Sequence, residues 1–259
     1  MLNGYTLASS SDLTLMRTKK YIQDRFNKIR EHLLLFKTTQ EPERLHLYRV
    51  EIKKLRALHR FLAYCDKDFK VKDTFKFHTA VFQQAGKIRD FDVIVQLLKK
   101  YKINFLATTA VTDPKSHAKD IAAFCKNISS YIESLKKTER NLLKKICVVH
   151  QKELKEYLKK RKRKIKKLLR KNKKKHLHQA RKEAKEILYL SKLNPHYDAA
   201  SIQYFDKLQD TIGKWHDKQV LIETLTQTNL SPNHVLLKKL KEERKNDLHD
   251  LSSIKPVKL

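Results

Sequence analysis

Glycine occurs only three times in this chain of 259 residues, and proline only five times. Sheet proteins need glycine at their turns, so the shortage argues against strands and for an all-α fold. Cysteine is just as sparse. Cys65, Cys125 and Cys147 are odd in number and widely spaced, which supports no disulfide framework and fits a reducing compartment. No stretch approaches the roughly 18 apolar residues of a bilayer span. Residues 1–16 carry neither the basic start nor the apolar run of a secretory leader, so a soluble, cytoplasmic protein is expected. Acidic residues are the last shortage: 28 Asp and Glu face 59 Lys and Arg, a formal net charge of +31. Such an excess opposes compaction by self-repulsion, so a polyanion is the expected partner. Nucleic acid, an acidic membrane and inorganic polyphosphate are the classes to weigh. Hydrophobic residues make up 40%, enough to build a core.

Helical signals recur along the whole chain. Ile22, Phe26, Ile29, Leu33 and Phe36 recur on one face of a helix over 17–37. Pro42 suits the first turn of a second helix reaching about Cys65. A third is expected to follow Asp66 or Asp68 and to end near Gly86, and a fourth to run from the Arg89-Asp90 pair to about Tyr101. Residues 103–113 read as a connector, and Asp113-Pro114 as N-cap and first turn of a long helix toward 150. The order then repeats: a basic helix, a helix around His178, one from about Asp198 to Gly213, one after Asp217, and a last one from Ser231-Pro232 to about Asp250. Between Lys159 and Lys175, 13 of 17 residues are Lys or Arg and none is acidic. Ile165, Leu168 and Leu169 interrupt that run at helical spacing, which favours a helix with a narrow apolar stripe over a disordered basic loop.

A two-part motif occurs twice. Its first part is His-x-x-Arg-x-x-x-Lys, as His46, Arg49, Lys53 and again as His178, Arg181, Lys185. Its second part joins Gly86, Lys87, Arg89 and Asp90, and again Gly213, Lys214, His216 and Asp217. Two of the three glycines fall at these matching positions. An internal duplication explains this, with two helical halves related by a pseudo-two-fold axis.

At 100° per residue, His46, Arg49, Lys53, Arg56 and Arg60 fall within about 80° around one helix and line about 21 Å of its edge. Like charges at these spacings cost a few tenths of a kcal/mol per pair. In the second copy Lys192 takes the place of Arg60, and Leu188 stands where Arg56 stood, which weakens that stripe. Arginine offers planar forked donors to phosphate and lysine a mobile point charge, so a phosphate chain can thread between two such edges. A pair of solvated basic faces is the plain alternative. For His46 and His178 a hydrogen-bonded structural role is weighed ahead of phosphate contact by a protonated imidazole. Gly86 and Gly213 are expected in the left-handed position that ends a helix. Asp90 and Asp217 are expected as N-caps or as partners of Arg89 and His216.

Together these stretches, 'LHLYRVEIKKLRALHRFL' with 'QQAGKIRDFDVIVQLL' and 'LHQARKEAKEILYLSKL' with 'DTIGKWHDKQVLIETL', resemble the CHAD family, the conserved-histidine α-helical domain. The resemblance covers about residues 17–250. It implies two pseudo-symmetric four-helix bundles around a basic central groove or pore, binding of inorganic polyphosphate, and association with polyphosphate granules in some members. It also implies that His46, Arg49, Lys53, Arg56, His178, Arg181 and Lys185 face the ligand. Leu188 and His216 depart from the first copy, so equal contributions from the two halves do not follow.

The expected organisation is an N-terminal flank (1–16), one domain (17–251) with halves of about 17–110 and 111–251, and a tail (252–259). The expected function is non-catalytic binding of polyphosphate through the two stripes, with Arg60 and Lys192 included. Nonspecific nucleic-acid binding is the alternative. No acidic cluster of the kind used by tunnel phosphatases, no Walker loop and no zinc pattern occurs, so no enzyme, metal site or cofactor is expected. The stripes lack aromatics interleaved for base stacking. The basic run has too thin an apolar face for membrane insertion.

Overall fold

The structure is a computed structural model that describes residues 10–69, 71–103, 113–146, 151–171, 173–194, 197–227 and 234–254. Eight helices make up the described chain: α1 (Ser10–Thr39), α2 (Pro42–Cys65), α3 (Val71–Lys100), α4 (Pro114–Lys145), α5 (Gln151–Lys171), α6 (Lys174–Ser191), α7 (Ala199–Gln227) and α8 (His234–Ser253). No strand occurs among the described residues. The fold is all-α, as the glycine shortage implies.

The apolar periodicities place the helices. Ile22, Phe26, Ile29, Leu33 and Phe36 of α1 are all buried. α2 starts with Pro42 in its first turn, where a missing N–H costs no hydrogen bond. Asp113 caps α4, its Oδ1 accepting from the Lys115 amide at 3.0 Å, a contact worth about 1 kcal/mol. Phe124, Ile128, Tyr131, Leu135 and Leu142 form the buried face of α4. The basic run is helical: Leu154, Tyr157, Leu158 and Ile165 of α5 are buried, and Leu168 and Leu169 pack against the core.

Two expected breaks do not occur. α3 runs unbroken through Gly86, Arg89 and Asp90, and α7 through Gly213, His216 and Asp217. Neither Gly86 nor Gly213 has positive φ, so neither ends a helix, and neither aspartate caps one. The expected start of α8 at Ser231-Pro232, the connector residues 104–112 and the tail residues 255–259 lie outside the described residues.

α1, α2, α3 and α4 close into one bundle, with α1 on α2 and α4, and α3 on α2 and α4. α5, α6, α7 and α8 pack in sequence to form the other. α4 therefore belongs by contact with the first half, and the division between halves falls after α4 rather than near residue 110. α2 packs on α6 and α5, and α3 on α7, so one apolar core continues through both bundles. A smaller cluster joins Leu98 of α3, Leu221, Ile222 and Leu225 of α7, and Leu240 of α8. These contacts bring the two copies of the motif face to face.

Candidate functional site

Each glycine is explained by the arginine of its own copy. A Cβ on Gly86 would meet the guanidinium of Arg49, with Cζ at 3.2 Å. A Cβ on Gly213 would meet that of Arg181, with Nη2 at 2.8 Å and Cζ at 3.2 Å. Arg49 Nη1 donates to the Phe82 carbonyl at 2.6 Å, and Arg181 Nε to the Gln209 carbonyl at 3.1 Å. Phe82 and Gln209 each lie four residues before the glycine, so the two contacts are pseudo-symmetric equivalents. Glycine inside a helix costs about 1 kcal/mol relative to alanine. Here the missing side chain leaves a notch for an arginine from the neighbouring helix. Arg49 and Arg181 are both half-buried and fastened to α3 and α7. A guanidinium carries five N–H donors, so such an anchor positions the group and leaves donors to offer.

Lys53 and Lys185, four residues further on, are half-buried where α2 meets α6. Burial pushes the Lys53 ammonium down to about 8, and the positive charges of Lys185, Arg49 and Arg181 push the same way. Burial and the Arg181 charge take Lys185 to about 8 as well, against the pull of Asp210, Asp217 and Asp206. Both halves thus direct cations at one seam between α2, α3, α6 and α7. Asp90 lies close enough to raise Arg49 and Lys53, and Asp217 to raise Lys185, so each tempers the cations of its own half.

His46 sits beside Arg89, Lys53 and Lys185. Burial first, then these charges, hold its imidazole below the usual range. His178 is lowered by burial, Lys182, His216 and Arg181. Its ring stacks on His216 at 5.5 Å, and His216 Nδ1 lies 3.8 Å from Asp217 Oδ1. Both motif histidines are thus predominantly neutral at pH 7, and a bound anion would favour their protonation. Arg89, the first-copy counterpart of His216, has its Nε and Nη1 buried with no hydrogen-bond partner among the described residues.

The rest of the stripe divides. Arg56 and Arg49 both stack over the Phe82 ring, at 4.9 and 4.2 Å, and Arg56 Nη2 lies 3.5 Å from Thr79 Oγ1. The second copy has Gln209 in place of Phe82 and Leu188 in place of Arg56, so the ring and the arginine that stacks on it are lost together. Arg60 is exposed and pairs with Glu186 of α6, joining the halves. Lys192 is exposed at the C-cap of α6, near enough to Lys54 to lower it.

Reading only the cations missed the acids behind them. Glu51 and Glu183 both fall five residues after the motif histidine and are buried. Glu51 takes Arg25 of α1 at 2.8 Å and Lys54 at 2.6 Å. Glu183 takes Arg161 of α5 at 3.0 Å and Lys164 at 2.7 Å. Glu186 accepts from Tyr157 Oη at 2.5 Å. The repeated His-x-x-x-x-Glu spacing was the available signal.

The sequence model of the CHAD domain matches residues 20–226. The chain belongs to the CHAD family. In this CHAD domain the duplicated motif is therefore two copies of one interlocked arrangement. A solved structure, the crystal structure of the CHAD domain from the plant Ricinus communis, superposes with a TM-score of 0.71. It is 14% identical, and the match covers 93% of this chain and 89% of that one, a likeness of fold. No curated protein gives a significant match. Among the described residues no helix of this CHAD domain is long and apolar enough to cross a membrane, and no group of three or more His, Cys, Asp or Glu side chains could hold a metal ion.

Proposed function

We propose that the seam binds inorganic polyphosphate without turning it over, and that the protein is cytoplasmic and gathers at polyphosphate granules. The observation that carries this reading is the facing pair Lys53 and Lys185, both half-buried and both pushed down to about 8. Burial is the first cause of both shifts, and the neighbouring cations add to it, so an anion in the seam would offset the charge held there. The buried, unpartnered Nε and Nη1 of Arg89 add donors. The notched arginines would supply fixed forked donors and the lysines adaptable charges. Polyphosphate has one repeating unit and no bases, which suits two equivalent cation sets. The aromatic beside the arginines, Phe82, stacks with Arg49 and Arg56, which favours phosphate over single-stranded bases.

The test is a titration with long-chain polyphosphate, duplex DNA and RNA at equal phosphate concentration near physiological salt. Polyphosphate is expected to bind tightest, with affinity falling steeply as salt rises. With Mg²⁺ or Mn²⁺ present, no phosphate is expected to be released. Equal or tighter DNA binding that is lost on Lys53→Gln, Lys185→Gln moves the seam's assignment to nonspecific nucleic-acid binding. Sustained phosphate release that is lost on mutating this chain refutes the non-catalytic reading.

A further inference from the structure

The cations of α5 divide into two sets by what they touch. Lys160 Nζ donates to Tyr64 Oη at 2.8 Å, and Lys162 Nζ to Ser201 Oγ at 3.1 Å. Arg161 and Lys164 pair with Glu183. These four are tied to the rest of the fold. Lys152, Lys159, Arg163, Lys166 and Arg170 are exposed, and none forms an ion pair among the described residues. At 100° per residue the five fall within about 60° of each other, in a row about 27 Å long. That row lies roughly opposite the buried Leu154, Tyr157, Leu158 and Ile165. It therefore points away from α6 and the seam. The only acid in its sector is Glu156, and no apolar or aromatic residue shares it.

We propose that this outer face of α5 is a second polyanion surface, separate from the seam, that docks duplex nucleic acid through its phosphate backbone. The assignment goes beyond the seam's reading and does not depend on it. A face with no apolar residue cannot bury itself in a bilayer, and one with no aromatic cannot stack on exposed bases. A straight row of cations instead complements the dense negative charge of a duplex backbone, about one charge per 1.7 Å of axis with both strands counted. Recognition is sequence-independent, since nothing in the row reads base edges. The protein could then hold a nucleic acid and a second polyanion at once.

The test uses the full chain and the variant K159Q/R163Q/K166Q/R170Q, checked by circular dichroism. Affinity for a 20-base-pair duplex is expected to fall at least tenfold, and the log–log salt slope to shrink by about 3–4, for four lost phosphate contacts. Affinity for short-chain polyphosphate should move little. In the wild type, saturating short-chain polyphosphate at constant ionic strength should leave the duplex bound. Unchanged duplex affinity and slope in the folded variant overturn the proposal. So does displacement of the duplex by short-chain polyphosphate, or loss of phosphatidylserine-vesicle binding while duplex binding persists. If the variant fails to fold, the wild-type competition decides. If the wild type binds no polyphosphate, the seam's reading fails and the variant's duplex affinity still decides this one.

Discussion

The double variant Lys53→Gln, Lys185→Gln is expected to lose polyphosphate affinity by roughly 10²–10⁴-fold and yet to melt at or above the wild-type temperature. Each lysine lost removes a charge-assisted contact of about 1.5–3 kcal/mol, and each 1.4 kcal/mol is tenfold in affinity. The stability effect has the opposite sign because the two lysines burden the free fold. Their folded values lie near 8, against an unfolded value of about 10.4. The unfolded chain therefore binds their protons more tightly. The penalty is complete below pH 8 and fades as pH rises toward 10.4, so any gain in melting temperature should be largest below pH 8. A loss of affinity accompanied by unfolding would make the pair structural. Unchanged affinity in a folded variant would place the ligand elsewhere.

The second large effect is a change of sign. Gly86→Ala in the wild type is expected to destabilise the protein by about 1–3 kcal/mol. Alanine gains about 1 kcal/mol in a helix interior. Its Cβ, however, displaces the Arg49 guanidinium from the Phe82 carbonyl and the Phe82 ring. That forfeits a charge-assisted hydrogen bond of about 1.5–3 kcal/mol and a cation–π contact of about 0.5–2 kcal/mol. In an Arg49→Ala background the notch is empty, and the same Gly86→Ala should stabilise by about 0.5–1 kcal/mol. Gly213 with Arg181 should follow the same pattern more weakly, since Gln209 provides a carbonyl but no ring. Chemical denaturation of the four variants in each cycle reads the coupling. Equal effects of the glycine substitution in both backgrounds would refute the notch.

Where a stretch carries its own periodicity, the sequence was a sufficient guide. The buried face of α1, the proline start of α2, the capped start of α4 and the amphipathic α5 all follow from local spacing. The breaks expected at Gly86 and Gly213 failed because a helix-ending glycine and a glycine that admits an arginine from another helix look alike in sequence. The second cause is tertiary, and only the packing of α2 on α3 and of α6 on α7 reveals it. The duplication made Lys53 and Lys185 legible as equivalents across one groove, but not the burial that lowers both of them. Helical angle fixes the direction in which a side chain leaves its own helix and says nothing of what waits there. Arg60 shares the stripe's azimuth and is met by Glu186. Glu51 and Glu183 escaped notice because they lie behind the stripe, where they hold Arg25 and Arg161.

The most direct measurement is a pH titration of the lysine side chains by NMR, on protein with labelled lysine, with and without polyphosphate. Two resonances, assigned to Lys53 and Lys185 by their loss in the single Gln variants, should titrate near pH 8 in the free protein. Both should move to higher pH when polyphosphate binds, with proton uptake greatest at and just above pH 8. Affinity should accordingly be flat below pH 8 and fall above it. If both lysines titrate near their ordinary value, or if polyphosphate binds and leaves their titration unmoved, the seam is not the anion site.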